Sequence, residues 1–197
     1  MRDLTLILND WLLAGAGQIG QVLIRRAPSG WELRHLADAD RDDLHLQADP
    51  VAARHIATLD DAGVFRPLKT APNLIRGWRL VLRDAGAVRL ALDYLYPAMT
   101  GVWLSFLNGA LVEASLRETL GRQTGMYRVT QRISDSDART TIDRFCAGCL
   151  KQRLWEIDGP NHTPPQLLPP SIPLLCHEAC NLLVAEIRKV VKAQTIQ

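Results

Sequence analysis

The chain has 197 residues, 47% of them hydrophobic and 22% charged, with a formal net charge of +2. That length and apolar content suffice for a core of normal size in one large or two small domains, so the fold need not rest on covalent or metal staples alone. The near-neutral charge excludes a general polyanion binder, and nucleic acid is not an expected partner, although a local basic face remains open.

The apolar start Leu4–Leu8 is interrupted by Asn9 and Asp10, and the stretch from Trp11 to Ala16 ends at Gly17-Gln18. Neither reaches the roughly 20 residues of a membrane span, and no signal cleavage site follows. A cytoplasmic protein with no membrane partner is expected. Segments 18–26 and 31–36 flank the turn residues Pro28-Ser29-Gly30, and Trp31, Leu33 and His35 alternate with Glu32, Arg34 and Leu36, so a β-hairpin is expected. Asp38 to Asp43 reads as an acidic loop, and Asp49-Pro50 as an N-cap followed by proline at the first helical position, opening a helix that stops near Gly63. Phe65 to Gly77 reads as a loop with Pro67 and Pro72, Trp78–Leu82 as a strand, Asp84 as the cap of a helix through Tyr94, and Trp103–Leu107 as part of a further helix. Gly15 to Gly20 matches G-x-G-x-x-G by spacing, but the residues after it read as strand, so it is discounted as a dinucleotide fingerprint.

From Ser115 the pattern turns helical. Leu116–Gln123 reads as a short helix, Met126–Val129 as extended or the start of a loop, and Ser134 as one of several caps for a helix running to Cys149. Six prolines between 160 and 173 demand a stiff extended connector, and Pro173 can open a last helix carrying Cys176 and Cys180. The expected fold class is α+β: a small antiparallel sheet with helices in residues 1–114, followed by a mainly helical cysteine-cluster domain in residues 115–197.

The only cysteines are Cys146, Cys149, Cys176 and Cys180. In helices, spacings of three and four residues return side chains to one face, so each pair can aim two thiolates at one spot and the two pairs can build a four-thiolate site. In a reducing compartment such a set reads as metal-binding or redox-active rather than disulfide-bonded. A [4Fe–4S] cluster, a structural zinc, a redox dithiol at Cys146 and Cys149, and four inert buried thiols compete for these residues. His162 and His177 can replace a cysteine or simply face solvent or core. Arg144, Lys151 and Arg153 can stabilise a negative cluster or form a solvated face. Phe145, Leu150, Trp155, Leu174 and Leu175 offer apolar surroundings. No catalytic triad or P-loop is present, and no catalytic residue is assigned.

The run Leu116 to Arg128, with Arg122-Gln123-Thr124-Gly125-Met126-Tyr127-Arg128 at its end, together with the two cysteine pairs, the segment Arg66–Leu74 and Tyr96-Pro97, resembles an accessory iron–sulfur module found with the small sirohydrochlorin and cobalt chelatases. The chelatase domain itself, with its metal-binding histidines, is absent: His35, His45, His55, His162 and His177 sit in no such context. The resemblance implies a [4Fe–4S] cluster-binding accessory or electron-transfer protein of cobalamin or sirohaem synthesis, with Cys146, Cys149, Cys176 and Cys180 as ligands. It implies a separate chelatase or corrin-pathway enzyme as partner and no metal insertion by the chain alone. The alternative is an interaction module with structural zinc. Arg117, Arg122, Gln123 and Arg128 supply donors for an anionic ligand such as a tetrapyrrole with its many carboxylates; the blander reading gives Arg122 and Arg128 to surface ion pairs and Tyr127 to the core.

Overall fold

A computed structural model describes residues 4–15, 17–58, 73–166 and 170–195. The expected helix stop at Gly63, the loop from Phe65 with Pro67 and Pro72, the Arg66–Pro72 part of the resemblance and Pro169 of the proline connector lie outside the described residues. The chain divides into two units: Met1–Ala110 with Gln166–Leu174, and Leu111–Pro165 with Leu175–Gln197. The segment Gln166–Leu174, which the sequence reading gives to the C-terminal domain, belongs to the first unit.

The first unit opens with helix α1 (Leu4–Leu13), followed by strands β1 (Gly17–Ile19), β2 (Val22–Ala27), β3 (Gly30–His35) and β4 (His45–Gln47). Helix α2 (Ala53–Thr58), strand β5 (Trp78–Leu82) and helices α3 (Ala85–Leu95) and α4 (Met99–Leu107) complete its first stretch. The chain later returns to it as β7 (Ser171–Ile172), giving a six-stranded sheet in the order β4-β5-β3-β2-β1-β7. The β1-β2-β3-β5 centre is antiparallel, as expected, while the edge strands β4 and β7 pair in parallel. Gly17 makes room for β7: a Cβ there would sit 2.0 Å from the carbonyl oxygen of Pro170.

Alternation in β2, β3 and β5 buries Val22, Ile24, Trp31, Leu33, Trp78, Leu80 and Leu82. Helix α3, capped by Asp84 as expected, packs against α1, α2 and α4. The sequence reading misses α1, taking Asn9 and Asp10 as breaks. They fall between Leu8 and Leu12, which share one helical face and are fully buried. The first arm of the hairpin is not one strand but two, β1 and β2, turning at Gly20-Gln21. Arg34 lies with Glu32 on the face opposite Trp31 and Leu33 yet is buried: it pairs with Glu32 at 2.5 Å and donates to the carbonyls of Asp38, Ala39 and Arg41, tying the acidic loop to the sheet.

The second unit contains α5 (Leu116–Gly121), a 3₁₀ helix (Gly125–Arg132), α6 (Asp135–Cys146), β6 (Gln152–Arg153), β8 (Leu175–Cys176) and α7 (Asn181–Thr195). Its core is built from Leu116, Leu120, Ile133, Ile142, Trp155, Ile157, Leu183, Val184 and Ile187. Residues 126–129 are neither strand nor loop but part of the 3₁₀ helix: the Tyr127 N–H closes an i to i+3 turn on the Thr124 carbonyl at 3.1 Å, and the Thr130 hydroxyl braces it by donating to the Tyr127 carbonyl at 2.7 Å. The helix expected to reach Cys149 stops at Cys146, and Cys149 closes the following turn with its N–H on the Cys146 carbonyl at 3.0 Å. The last helix begins at Asn181, so the second cysteine pair precedes it. Cys176 is extended because β8 pairs in parallel with β6, and Pro173 leads into that strand rather than into a helix.

Candidate metal centre

The parallel pairing of β6 and β8 brings the two cysteine pairs together. Register sets Gln152 opposite Leu175 and Arg153 opposite Cys176, and the Leu154 N–H bonds the Cys176 carbonyl at 2.9 Å. Cys149 lies three residues before β6, and Cys176 ends β8. Cys180 sits just before α7, where its carbonyl accepts the Val184 N–H at 3.1 Å. The segments that carry the two pairs are therefore joined through a strand register and two loops, not through two helical faces as the spacing suggests.

All four residues are free thiols; Cys149 is exposed, and the other three are half-buried against the core of the unit. Burial pushes the Cys146 thiol up to about 11, and the neighbouring Cys149, Cys176 and Cys180 push in the same direction, while Arg153 opposes them. Burial also raises Cys176, helped by Cys180 and Cys149 and opposed by the Trp155 hydrogen bond and by Lys151. Cys146 thus feels the other three thiols, and Cys176 feels Cys149 and Cys180. Among the described residues, no three His, Cys, Asp or Glu side chains close into a metal-ligating group.

The fully buried Trp155 donates its indole N–H to the Cys176 sulfur at 3.3 Å, and Cys176 donates to the Glu178 carbonyl at 3.2 Å. Arg153 stacks over the Trp155 ring at 5.3 Å and pairs with Glu156 at 2.9 Å. Four thiols in one unit, an indole N–H on the Cys176 sulfur, and Arg153 and Lys151 opposing the rise at Cys146 and Cys176 supply the donor chemistry of a thiolate-held metal or cluster. Of the flanking residues, His177 is half-buried, and His162 and Arg144 are exposed. Phe145 packs on the core of this unit; Leu174 is buried in the first unit. The sequence reading treats Trp155 only as apolar surface. Its role as donor depends on the β6–β8 register, which no local pattern reveals.

The arginine run is dispersed. Arg117 donates to the Ile133 carbonyl at 3.0 Å and pairs with Asp135. Arg122 pairs with Glu178 at 2.6 Å. Gln123 donates to the Thr119 carbonyl at 2.9 Å, and Tyr127 packs on the core under Arg188. Arg128 lines a cavity together with Arg132.

Residues 108–189 match the family described as a 4Fe-4S iron–sulfur cluster binding domain, and residues 9–106 match the DR2241 stabilising domain. The two matches together span most of the chain, and the resemblance expected from the cysteine pairs holds. The chain is also similar to a solved structure, that of DR2241 from Deinococcus radiodurans, at 31% identity and a TM-score of 0.79. That structure is described as a multi-domain protein with structural similarity to chelatases and two additional novel domains. The similarity covers 97% of this chain but 42% of that one, so the chain spans less than half of its length. No curated protein matches. Among the described residues, no helix is long and apolar enough to cross a membrane.

Proposed function

We propose that the chain binds a [4Fe–4S] cluster through Cys146, Cys149, Cys176 and Cys180. In this reading it serves as a cytoplasmic accessory or electron-transfer protein for a separate chelatase or corrin-pathway enzyme of tetrapyrrole synthesis. The carrying observation is that the β6–β8 pairing joins the two segments that bear the cysteine pairs, within a stretch that matches a 4Fe-4S binding domain. Such a cluster supplies one-electron transfer. The protein's own residues set its surroundings. Trp155 donates to the Cys176 sulfur, Lys151 and Arg153 offset negative charge, and the core beneath limits water on one side. The exposed Cys149 marks the side open to a partner.

The tetrapyrrole link is supported by the likeness to a protein described as chelatase-similar. Its test is co-purification with a chelatase from the same cell, with chelatase activity assayed against the oxidised and the reduced protein. A redox-dependent effect that Cys149→Ser abolishes is expected. A chelatase indifferent to the protein in both states rejects the partner assignment.

A further inference from the structure

We propose that the cavity beside Arg128 and Arg132 binds a small polycarboxylate with an apolar body. The cavity measures about 450 Å³ and is lined by Arg128, Val129, Gln131 and Arg132, within the size range of small-molecule sites. All four residues lie on the 3₁₀ helix Gly125–Arg132, where residues three apart eclipse. Arg128 therefore aligns with Gln131, and Val129 with Arg132, in neighbouring columns.

Both guanidinium groups are exposed and take no partner among the described residues. Their neighbours differ: Arg117 is held by Asp135, Arg122 by Glu178, and Arg188 by the Met126 carbonyl and the Tyr127 ring. The Gln131 amide nitrogen donates to the carbonyls of Gly121 and Gln123, both at 3.3 Å, which fixes that side chain at the rim. Two unpaired forks on one short helix repel each other and gain from carboxylates that engage both. Val129 adds an apolar surface within the cavity, and Met126, 66% exposed, lies on the same short helix. That surface favours a ligand with an apolar body over a bare inorganic anion. The anion site expected at Arg117, Arg122, Gln123 and Arg128 thus shifts along the chain, keeping Arg128 and gaining Arg132.

The site does not depend on the cluster; the tetrapyrrole reading only selects the probe. Uroporphyrin I, a tetrapyrrole with eight carboxylates, is titrated into the full chain and followed by its fluorescence. The wild type is expected to bind, and R128Q/R132Q to bind at least roughly tenfold more weakly, having lost two charge-assisted pairs. The charge-matched control R144Q/K192Q, at exposed positions elsewhere on the unit, should stay within about twofold. Failure of the wild type to bind, unchanged binding by R128Q/R132Q, or equal weakening in both variants overturns the site. Iron and sulfide measured on the same samples keep the two readings apart. A protein without iron whose binding is lost only in R128Q/R132Q retains the anion site and loses the cluster; an iron-loaded protein that ignores uroporphyrin loses the anion site alone.

Discussion

Trp155 combines two roles: its ring fills the core of the second unit, and its N–H lies 3.3 Å from the Cys176 sulfur. A hydrogen bond to a cluster sulfur strengthens as the cluster gains an electron, so it raises the reduction potential. Trp155→Phe keeps most of the ring and removes the donor. If the bond is worth a net ~1 kcal/mol, the potential falls by on the order of 40 mV in an EPR-monitored redox titration of the loaded protein. At this scale the sequence singles out the four cysteines as candidate ligands, because they form two close pairs. It is less informative about their neighbours. The sequence leaves the arginines between ligand contacts and ion pairs without naming partners; Arg117 and Arg122 pair with Asp135 and Glu178 at separations of 18 and 56 residues.

Helix α5 shows how an element's end steadies the site. Ser115 and Glu118 form a reciprocal capping box, with the Ser115 N–H on the Glu118 carboxylate at 2.6 Å and the Glu118 N–H on the Ser115 hydroxyl at 3.1 Å. The start of the helix is bonded to the chain beside Trp155, Leu116 to the Glu156 carbonyl and Arg117 to the Ile157 carbonyl. Ser115→Ala should cost about 1 kcal/mol in denaturant unfolding. The bonds from Ser115 hold the Glu118 carboxyl below its ordinary range. Its contribution is therefore present above the unfolded-state pKa and is lost as pH falls through the folded-state value. The wild type should lose melting temperature between about pH 5 and pH 3 more steeply than Glu118→Gln.

Elements governed by local chemistry are legible in the sequence: the caps at Asp49, Asp84 and Ser134, the hairpin turn before Gly30, and the strand Trp78–Leu82. Elements fixed by distant partners are not. Residues 175–176 carry no mark of the strand that Gln152 and Arg153 impose on them, and cysteines spaced for a helix end up in a strand and a cap.

At the scale of the molecule, each unit has its own core, and the proline-rich stretch between the cysteine pairs contributes Gln166–Leu174 to the first. Gly17→Ala tests that arrangement, since its methyl would collide with the Pro170 carbonyl. Losing the β1–β7 pairing should cost about 1–3 kcal/mol and speed proteolytic cleavage in 166–174, both measurable on the full chain. The central claim is that the second unit holds an iron–sulfur cluster on four cysteines. Its most direct test is iron, sulfide and zinc analysis with a visible spectrum on the anaerobically purified wild type and Cys176→Ser. A brown wild type with about four irons and four sulfides per chain, and a Cys176→Ser variant that retains few or none, is the predicted result. A colourless wild type, with one zinc or no metal, would contradict it.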